Sequence, residues 1–410
     1  MIAMGRNVMK ELEKVRRYIY NCRKCGVCSG KVTSKVPYVC PVKESTAGFD
    51  HFSSRGKTVI AQGLLEGAIS PSAELAEVIY SCTLCGNCMT QCGSINQDTG
   101  EALVDTTKIV EAMRADFLQN HPKWIDPAYR SILSSTRQYN NPWGLSRTEK
   151  EKWAKKMKIK NAQKEPSPVL LFVGCTMASS QELSSRPRKA AEIMSTANVD
   201  FAILGKDEPC CGSVQKRIGD VPLAREMMEE NINLFNSLGC EVIVTLCAGC
   251  ANMLKNDYRE SKEKLKPRVL HIVEFLPKLI QERKLQLREK HSLKATYHDP
   301  CHLGRHMGIY DQPRAVLNAL PGVDLIERYA RRENTICCGA GGGMRIFESG
   351  SLAEQIGQAA VESAIQVGAE ALVTACPFCE INLQTAAQKL DAPCAVYDIV
   401  DLVAERISLY

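Results

Sequence analysis

The feature that most constrains this chain is a pattern of five cysteines written twice. In the first copy Cys175 is followed by Cys210-Cys211 and by Cys247-x-x-Cys250; in the second, Cys301 is followed by Cys337-Cys338 and by Cys376-x-x-Cys379. The gaps read C-x34-CC-x35-C-x2-C and C-x35-CC-x37-C-x2-C. The segments between the cysteines repeat as well. A continuous apolar run at 169–173 predicts a buried strand delivering Cys175 at its carboxyl end. A helix around 188–194, a strand at 201–204, a helix at 223–238 and a strand at 241–246 follow, and 268–279 closes the copy. The second copy matches with a strand at 295–298, a helix at 313–320, and a strand at 324–327. A helix at 352–367, a strand at 371–375 and a closing segment at 395–403 complete it. A repeat this complete implies two pseudo-symmetric α/β domains that face one another. In open α/β sheets sites form beyond the carboxyl ends of the strands, where both cysteine sets fall.

The rest of the chain decides how thiols are to be read. No apolar run reaches the ~18 residues a membrane helix needs, and the opening, with Arg6, Lys10, Glu11 and Glu13, lacks the apolar core of a secretory signal. A cytoplasmic location is expected, with any membrane association running through a partner. In a large cytosolic chain, 20 cysteines point to metal or redox chemistry rather than disulfides. The net charge of +6 is mild and much of the basic excess lies at 147–164 without interleaved aromatics, which argues against nucleic-acid binding.

Two further cysteine runs precede the repeat. Cys22-x-x-Cys25-x-x-Cys28 is followed by Cys40-Pro41, and Cys82-x-x-Cys85-x-x-Cys88 by Cys92. Two-residue gaps let successive thiolates of one loop reach a single cubane cluster, while the distant fourth cysteine serves the other cluster. Cys22, Cys25, Cys28 and Cys92 are therefore assigned to one cubane [4Fe-4S] cluster, and Cys82, Cys85, Cys88 and Cys40 to a second. Zinc ribbons built from C-x2-C pairs are the alternative, and the third cysteine of each run argues against them. Cys40 follows an insertion at 29–39, and Cys92 is followed by Gly93 where proline is usual. Helical periodicity at 8–20, 57–65, 73–80 and 102–117 makes this an α-helical two-cluster ferredoxin domain rather than a compact ββ one. Residues 119–167 lose periodicity and hold Trp124, Trp143 and Trp153. They read as a connector pinned by those tryptophans to the chain's own domains. The expected domains are 1–118, 119–168, 169–286 and 287–410.

Four thiolates suffice for a cubane. A fifth, adjacent in sequence to another, cannot serve the same four corners, so each repeated motif is expected to hold an opened cluster with an iron available to an external ligand. Zinc on four thiolates with one bystander is the alternative at either copy. Gly339-Ala-Gly-Gly-Gly343 lacks both the spacing of a dinucleotide fingerprint and the lysine of a P-loop. Backbone wrapping around a cluster is the expected use. Cys240 and Cys394 fit no pattern and read as buried thiols. No flavin or nicotinamide fingerprint is present, so electrons must be exchanged with a partner.

The paired motifs resemble the cysteine-rich (CCG) domains of the B- and D-type subunits of heterodisulfide reductase. The whole layout is similar to the D-type subunit, and also to the iron–sulfur subunits of glycolate, lactate and anaerobic glycerol-3-phosphate dehydrogenases. The gap of 37 residues in the second copy is slightly longer than that family's usual one. The resemblance implies that Cys175, Cys210, Cys211, Cys247 and Cys250 hold one non-cubane [4Fe-4S] cluster. Cys301, Cys337, Cys338, Cys376 and Cys379 would hold a second, facing the first around a small-molecule disulfide. Electrons would enter at the ferredoxin domain and pass through both cubanes to reduce that disulfide, with a flavoprotein or cytochrome b as redox partner. His302 and His298 are the candidates for protonating the leaving thiolates. A structural hydrogen bond is the plainer role for either. The same ligands also suit an electron-relay subunit, between a flavin dehydrogenase and a quinone or ferredoxin, in which no disulfide turns over.

Overall fold

A computed structural model describes residues 9–30 and 37–407. Most of the insertion before Cys40 and the first residue of the expected opening helix, Val8, lie outside the described residues. The chain divides into two compact units. One comprises residues up to Arg130 together with Val214–Val221 and Gly339–Ile356; the other holds Ser131–Ser213, Pro222–Cys338 and Gly357 onward.

The first unit is built from helices. The opening segment forms two short ones, Lys10–Lys14 and Arg16–Tyr20, instead of one. Helix Ser54–Glu66 starts where the Ser53 hydroxyl accepts from the Gly56 amide at 3.1 Å, and stops at Gly67, whose φ of 71° no side chain accepts cheaply. Its inward face carries Lys57, Ala61 and Leu64, spaced by one helical turn. Ala73–Tyr80 follows, and helix Thr106–Asn120, capped by Asp105, buries Ile109, Val110, Met113 and Phe117. Asp116 on that helix accepts from the amides of Glu11 and Leu12 at 3.0 and 2.9 Å, tying the first helix down.

The second unit holds two parallel sheets. The first has the order β1-β3-β2-β4-β5, from β1 (Lys160–Asn161), β2 (Val169–Phe172), β3 (Phe201–Ile203), β4 (Val242–Thr245) and β5 (Arg268–His271). The second has the order β7-β6-β8-β9, from β6 (Leu293–Tyr297), β7 (Val323–Leu325), β8 (Ala371–Thr374) and β9 (Ala395–Asp398). Strip β1 from the first sheet and the two orders coincide, strand for strand. Register agrees too: Leu171 pairs with Val244 where Tyr297 pairs with Val373. The central strand β2 is apolar throughout, and Leu170, Leu171 and Phe172 are all buried. Each such side chain contributes roughly 1.5–3 kcal/mol.

The segment without periodicity is ordered. It forms helix Pro127–Tyr139, a 3-10 stretch at Arg147–Ala154 and the edge strand β1. The helix is in fact amphipathic, burying Tyr129, Ile132, Leu133 and Thr136 at helical spacing, a period the sequence reading missed; the two-residue strand has no period to find. The tryptophans do hold it to the chain: Trp153 is buried, and the Trp143 indole N–H donates to Thr176 Oγ1 at 3.1 Å. Trp124 stacks on His121 with ring centres 4.0 Å apart.

Candidate functional site: four groups of cysteines

In the first unit the two runs fold alike. Lys24 and Gly26 in one run, and Leu84 and Gly86 in the other, have φ of 55°, 85°, 53° and 73°. A left-handed residue on each side of the middle cysteine curls each loop tightly. Leucine in that conformation is strained by about 1–3 kcal/mol, which the surrounding packing must hold. The Cys28 thiol feels the charges of Cys22 and Cys92. The Cys40 thiol feels those of Cys82 and Cys85, and more strongly the Lys57 ammonium. Burial lifts the Cys28 thiol, and lifts Cys40 to about 11. Cys40, Cys82, Cys85 and Cys88 line one cavity together with Phe52, Ser54 and Lys57. The groups meet at Ser54, whose hydroxyl lies against both Cys28 and Cys88 and bonds Thr106 Oγ1 at 2.7 Å. Cys25 is exposed and Cys85 buried.

Arg114 knits this unit together. Its buried guanidinium donates to the carbonyls of Cys82 (2.7 Å), Tyr80 (3.0 Å), Arg217 (2.7 Å) and Gly342 (2.8 Å). The glycine run also serves here. A Cβ on Gly341 or Gly342 would sit 2.5 Å from the carbonyl oxygen of Thr83 or Cys82, and Tyr129 Oη donates to the Gly343 carbonyl at 3.1 Å. The close approach that needs glycine is thus to the peptide groups of the Cys82 loop. Neither Arg114 nor Lys57 stands out in the sequence by any motif. Lys57 does leave a signal: it occupies a core position of its helix, one turn before Ala61.

In the second unit each motif gathers on its sheet. Gly174, at φ 85°, ends β2 and lets Cys175 begin a helix; Cys247 and Cys376 are the N-cap residues of Ala248–Lys255 and Pro377–Lys389. Cys175 Sγ lies 3.8 Å from Cys210 Sγ. Cys211 is hydrogen-bonded with Cys210 and Cys250, which pulls its thiol down to about 6. In the second motif Cys379 lies against Cys338 and Cys376. The two motifs touch. Cys247 hydrogen-bonds Cys376, and that contact, with Cys379, holds the Cys376 thiol well below its ordinary range. Cys301 is half-buried and Cys337 buried. Cys240 stands apart at the edge of the first core, and Cys394 is buried at the start of β9.

The supporting residues differ between copies. Before Cys175, the buried Glu208 carboxylate accepts from the Val173 and Gly174 amides at 3.0 and 2.7 Å, and burial raises it to about 7. Before Cys301, Asp299 is paired with Arg314 at 2.7 Å. His298 is buried, and burial drives its imidazole down to about 3. One ring nitrogen lies within 4.8 Å of both Cys338 Sγ and Cys379 Sγ. His302 is half-buried; its Nδ1 reaches the Cys247–Cys250 loop of the other motif, 3.8 Å from where a Cβ on Gly249 would stand. The donor sets suit iron. Thiols at this density, with burial raising those of Cys28, Cys40 and Cys88, call for soft cations that displace the protons.

The cysteine-rich domain family matches residues 169–255 and 295–384, and the 4Fe-4S dicluster domain family matches 18–94. The D-type subunit of the dihydromethanophenazine:CoB–CoM heterodisulfide reductase of Methanosarcina barkeri is 33% identical over 83% of this chain and 81% of its own length. Its counterpart in Methanosarcina mazei is 31% identical over 95% of this chain and 94% of its own. The EtfAB:quinone oxidoreductase of Syntrophomonas wolfei is 28% identical over 90% of this chain but only 52% of its own length.

Proposed function

Because this chain belongs to the family of iron–sulfur oxidoreductases that includes the D-type heterodisulfide reductase subunits, we propose that it serves in a redox complex that reduces a disulfide. The observation that carries the reading is the contact of Cys247 with Cys376, through which the two motifs converge inside one compact unit. Cys22, Cys25, Cys28 and Cys92 would hold one cubane [4Fe-4S] cluster, and Cys40, Cys82, Cys85 and Cys88 another. Cys175, Cys210, Cys211, Cys247 and Cys250 would hold one non-cubane cluster; Cys301, Cys337, Cys338, Cys376 and Cys379 would hold its counterpart. When bound, such clusters supply one-electron carriers and, at the paired motifs, irons open to an external sulfur.

The chain's own part is to bind, to shield and to deliver protons. Ser54 hydrogen-bonds both Cys28 and Cys88 and so bridges the two proposed cubane sites. Glu208 holds the backbone that presents Cys175. Asp299, two residues before Cys301, is itself fixed by the Arg314 guanidinium and the Arg332 amide. Cleavage of a disulfide consumes two electrons and two protons and yields two thiols. His302, half-buried and reaching from one motif to the other, would hold one such proton. His298 stays neutral across the working range and is better suited to hydrogen-bond the sulfurs of Cys338 and Cys379.

The test is electron paramagnetic resonance on anaerobic holoprotein given coenzyme M–coenzyme B disulfide or simpler disulfides, and the corresponding thiols under oxidising conditions. The reductase reading expects a thiol-dependent signal that Cys376→Ser abolishes. Spectra indifferent to every thiol would favour the second reading, a relay role without disulfide turnover. That reading draws on the relative described as an EtfAB:quinone oxidoreductase. In both, a flavoprotein or cytochrome b partner exchanges the electrons.

A further inference from the structure

Helix Ser54–Glu66 brings one basic residue to each ferredoxin-type site, and the two are treated differently. Arg55 lies by Cys25 and Cys28, but its Nε is 2.9 Å from Asp50 Oδ2, and Lys43 Nζ is 3.8 Å from the same carboxylate. All three side chains are open to solvent, so this charge is both paired and screened. Lys57 is only 1% exposed. It lines the cavity formed with Cys40, Cys82, Cys85 and Cys88. Its Nζ donates to the Phe52 carbonyl at 2.7 Å, and that carbonyl also receives Cys40 Sγ at 3.5 Å. The charged and titratable groups facing it are the thiols of Cys40, Cys82 and Cys88 and the Arg114 guanidinium; no carboxylate pairs with it among the described residues. A buried ammonium with no counter-ion is costly unless an anion arrives to accompany it. Four thiolates carrying an iron–sulfur cluster are such an anion.

We propose that Lys57 is a built-in counter-charge for the cluster held by Cys40, Cys82, Cys85 and Cys88, making that cluster the higher-potential member of the pair. The inference rests on the ligand assignment above. Reduction adds one electron and no proton to a cluster already anionic with its thiolates. A cation a few ångströms away in a low-dielectric site stabilises the reduced form more than the oxidised one. Arg114, buried against the Cys82 carbonyl, adds to the same bias. The electron donated by the redox partner would therefore come to rest at this cluster and not at the one beside the paired, screened Arg55. Lys57 is a positioning residue for charge: it touches no substrate and moves no proton.

The experiment is a redox titration of anaerobic holoprotein followed by electron paramagnetic resonance, with Cys82→Ala and Cys22→Ala used to assign the two cubane signals. Lys57→Met is expected to lower the reduced-to-oxidised ratio of the Cys82-dependent cluster tenfold or more at a fixed potential. Tenfold corresponds to about 59 mV for a one-electron couple. The Cys22-dependent cluster should keep its midpoint, and Lys57→Arg should restore most of the shift. An unchanged midpoint in Lys57→Met with full iron content would overturn the proposal. If Lys57→Met instead sheds one cluster, retention in Lys57→Arg supports the charge, and loss in both overturns it. Should Cys82→Ala leave both cubane signals standing, the ligand assignment fails, separately from the role of Lys57.

Discussion

Single residues set the local chemistry in two ways, by backbone conformation and by burial of charge. Gly342 illustrates the first. Its φ of 60° and the 2.5 Å approach to the Cys82 carbonyl leave no room for a Cβ. Gly342→Ala should cost about 1–3 kcal/mol from strain, plus the displacement of the Cys82 loop. Gly48→Ala shares the positive φ of 78° but meets nothing, so it should cost only about 1 kcal/mol. Denaturant unfolding of the two variants, with iron content alongside, checks the difference; equal losses would mean the close approach does not matter. Arg114 illustrates the second. Replacing it by methionine strands the carbonyls of Tyr80, Cys82, Arg217 and Gly342. At about 1–3 kcal/mol for an unsatisfied buried group, Arg114→Met should be among the most damaging changes outside the cysteines. A variant as stable as the parent in urea would contradict that.

At the scale of elements, the repeat places equivalent strands under different caps. Helix Ile272–Gln281 follows β5 with His271 as its N-cap, the imidazole accepting from the Val273 amide at 3.3 Å, whereas Ile399–Ala404 follows β9 with Asp398 in that place. An imidazole can accept only when neutral, and burial lowers His271 to about 4. The unfolded chain binds this proton near pH 6.5 and the folded chain resists it, so the contribution is present above pH 6.5. It is lost as the pH falls toward 4. His271→Asn keeps the cap without the titration. Its unfolding free energy should therefore fall less than the parent's between pH 6.5 and pH 4, by an amount on the order of 3 kcal/mol; parallel profiles would refute the assignment. Elements also show what the sequence could reveal. Strands β2, β3, β4, β6, β7 and β8 were legible because apolar stretches recur at matching intervals around the repeated cysteines, whereas β5 and β9 were read only as closing segments. The tail of the connector was not, because β1 owes its existence to pairing with β3, as Lys160 does with Ala202, and not to any pattern of its own. Convergence of the motifs at Cys247 and Cys376 follows from duplication. The roles of Lys57, Glu208 and Arg114 depend on partners far along the chain, and spacing carries no trace of those.

At the scale of the whole molecule, labour is divided between the two units. One compact unit carries two four-cysteine groups joined at Ser54; the other carries two five-cysteine groups joined at Cys247 and Cys376. Among the described residues no helix is long and apolar enough to cross a membrane. The proposed function requires all four groups to be filled with iron. The most direct test is the metal content of protein purified without oxygen. The account predicts about sixteen iron atoms per chain, four for each of four clusters, with zinc absent. About eight iron atoms, with a zinc ion at each five-cysteine motif, would contradict it.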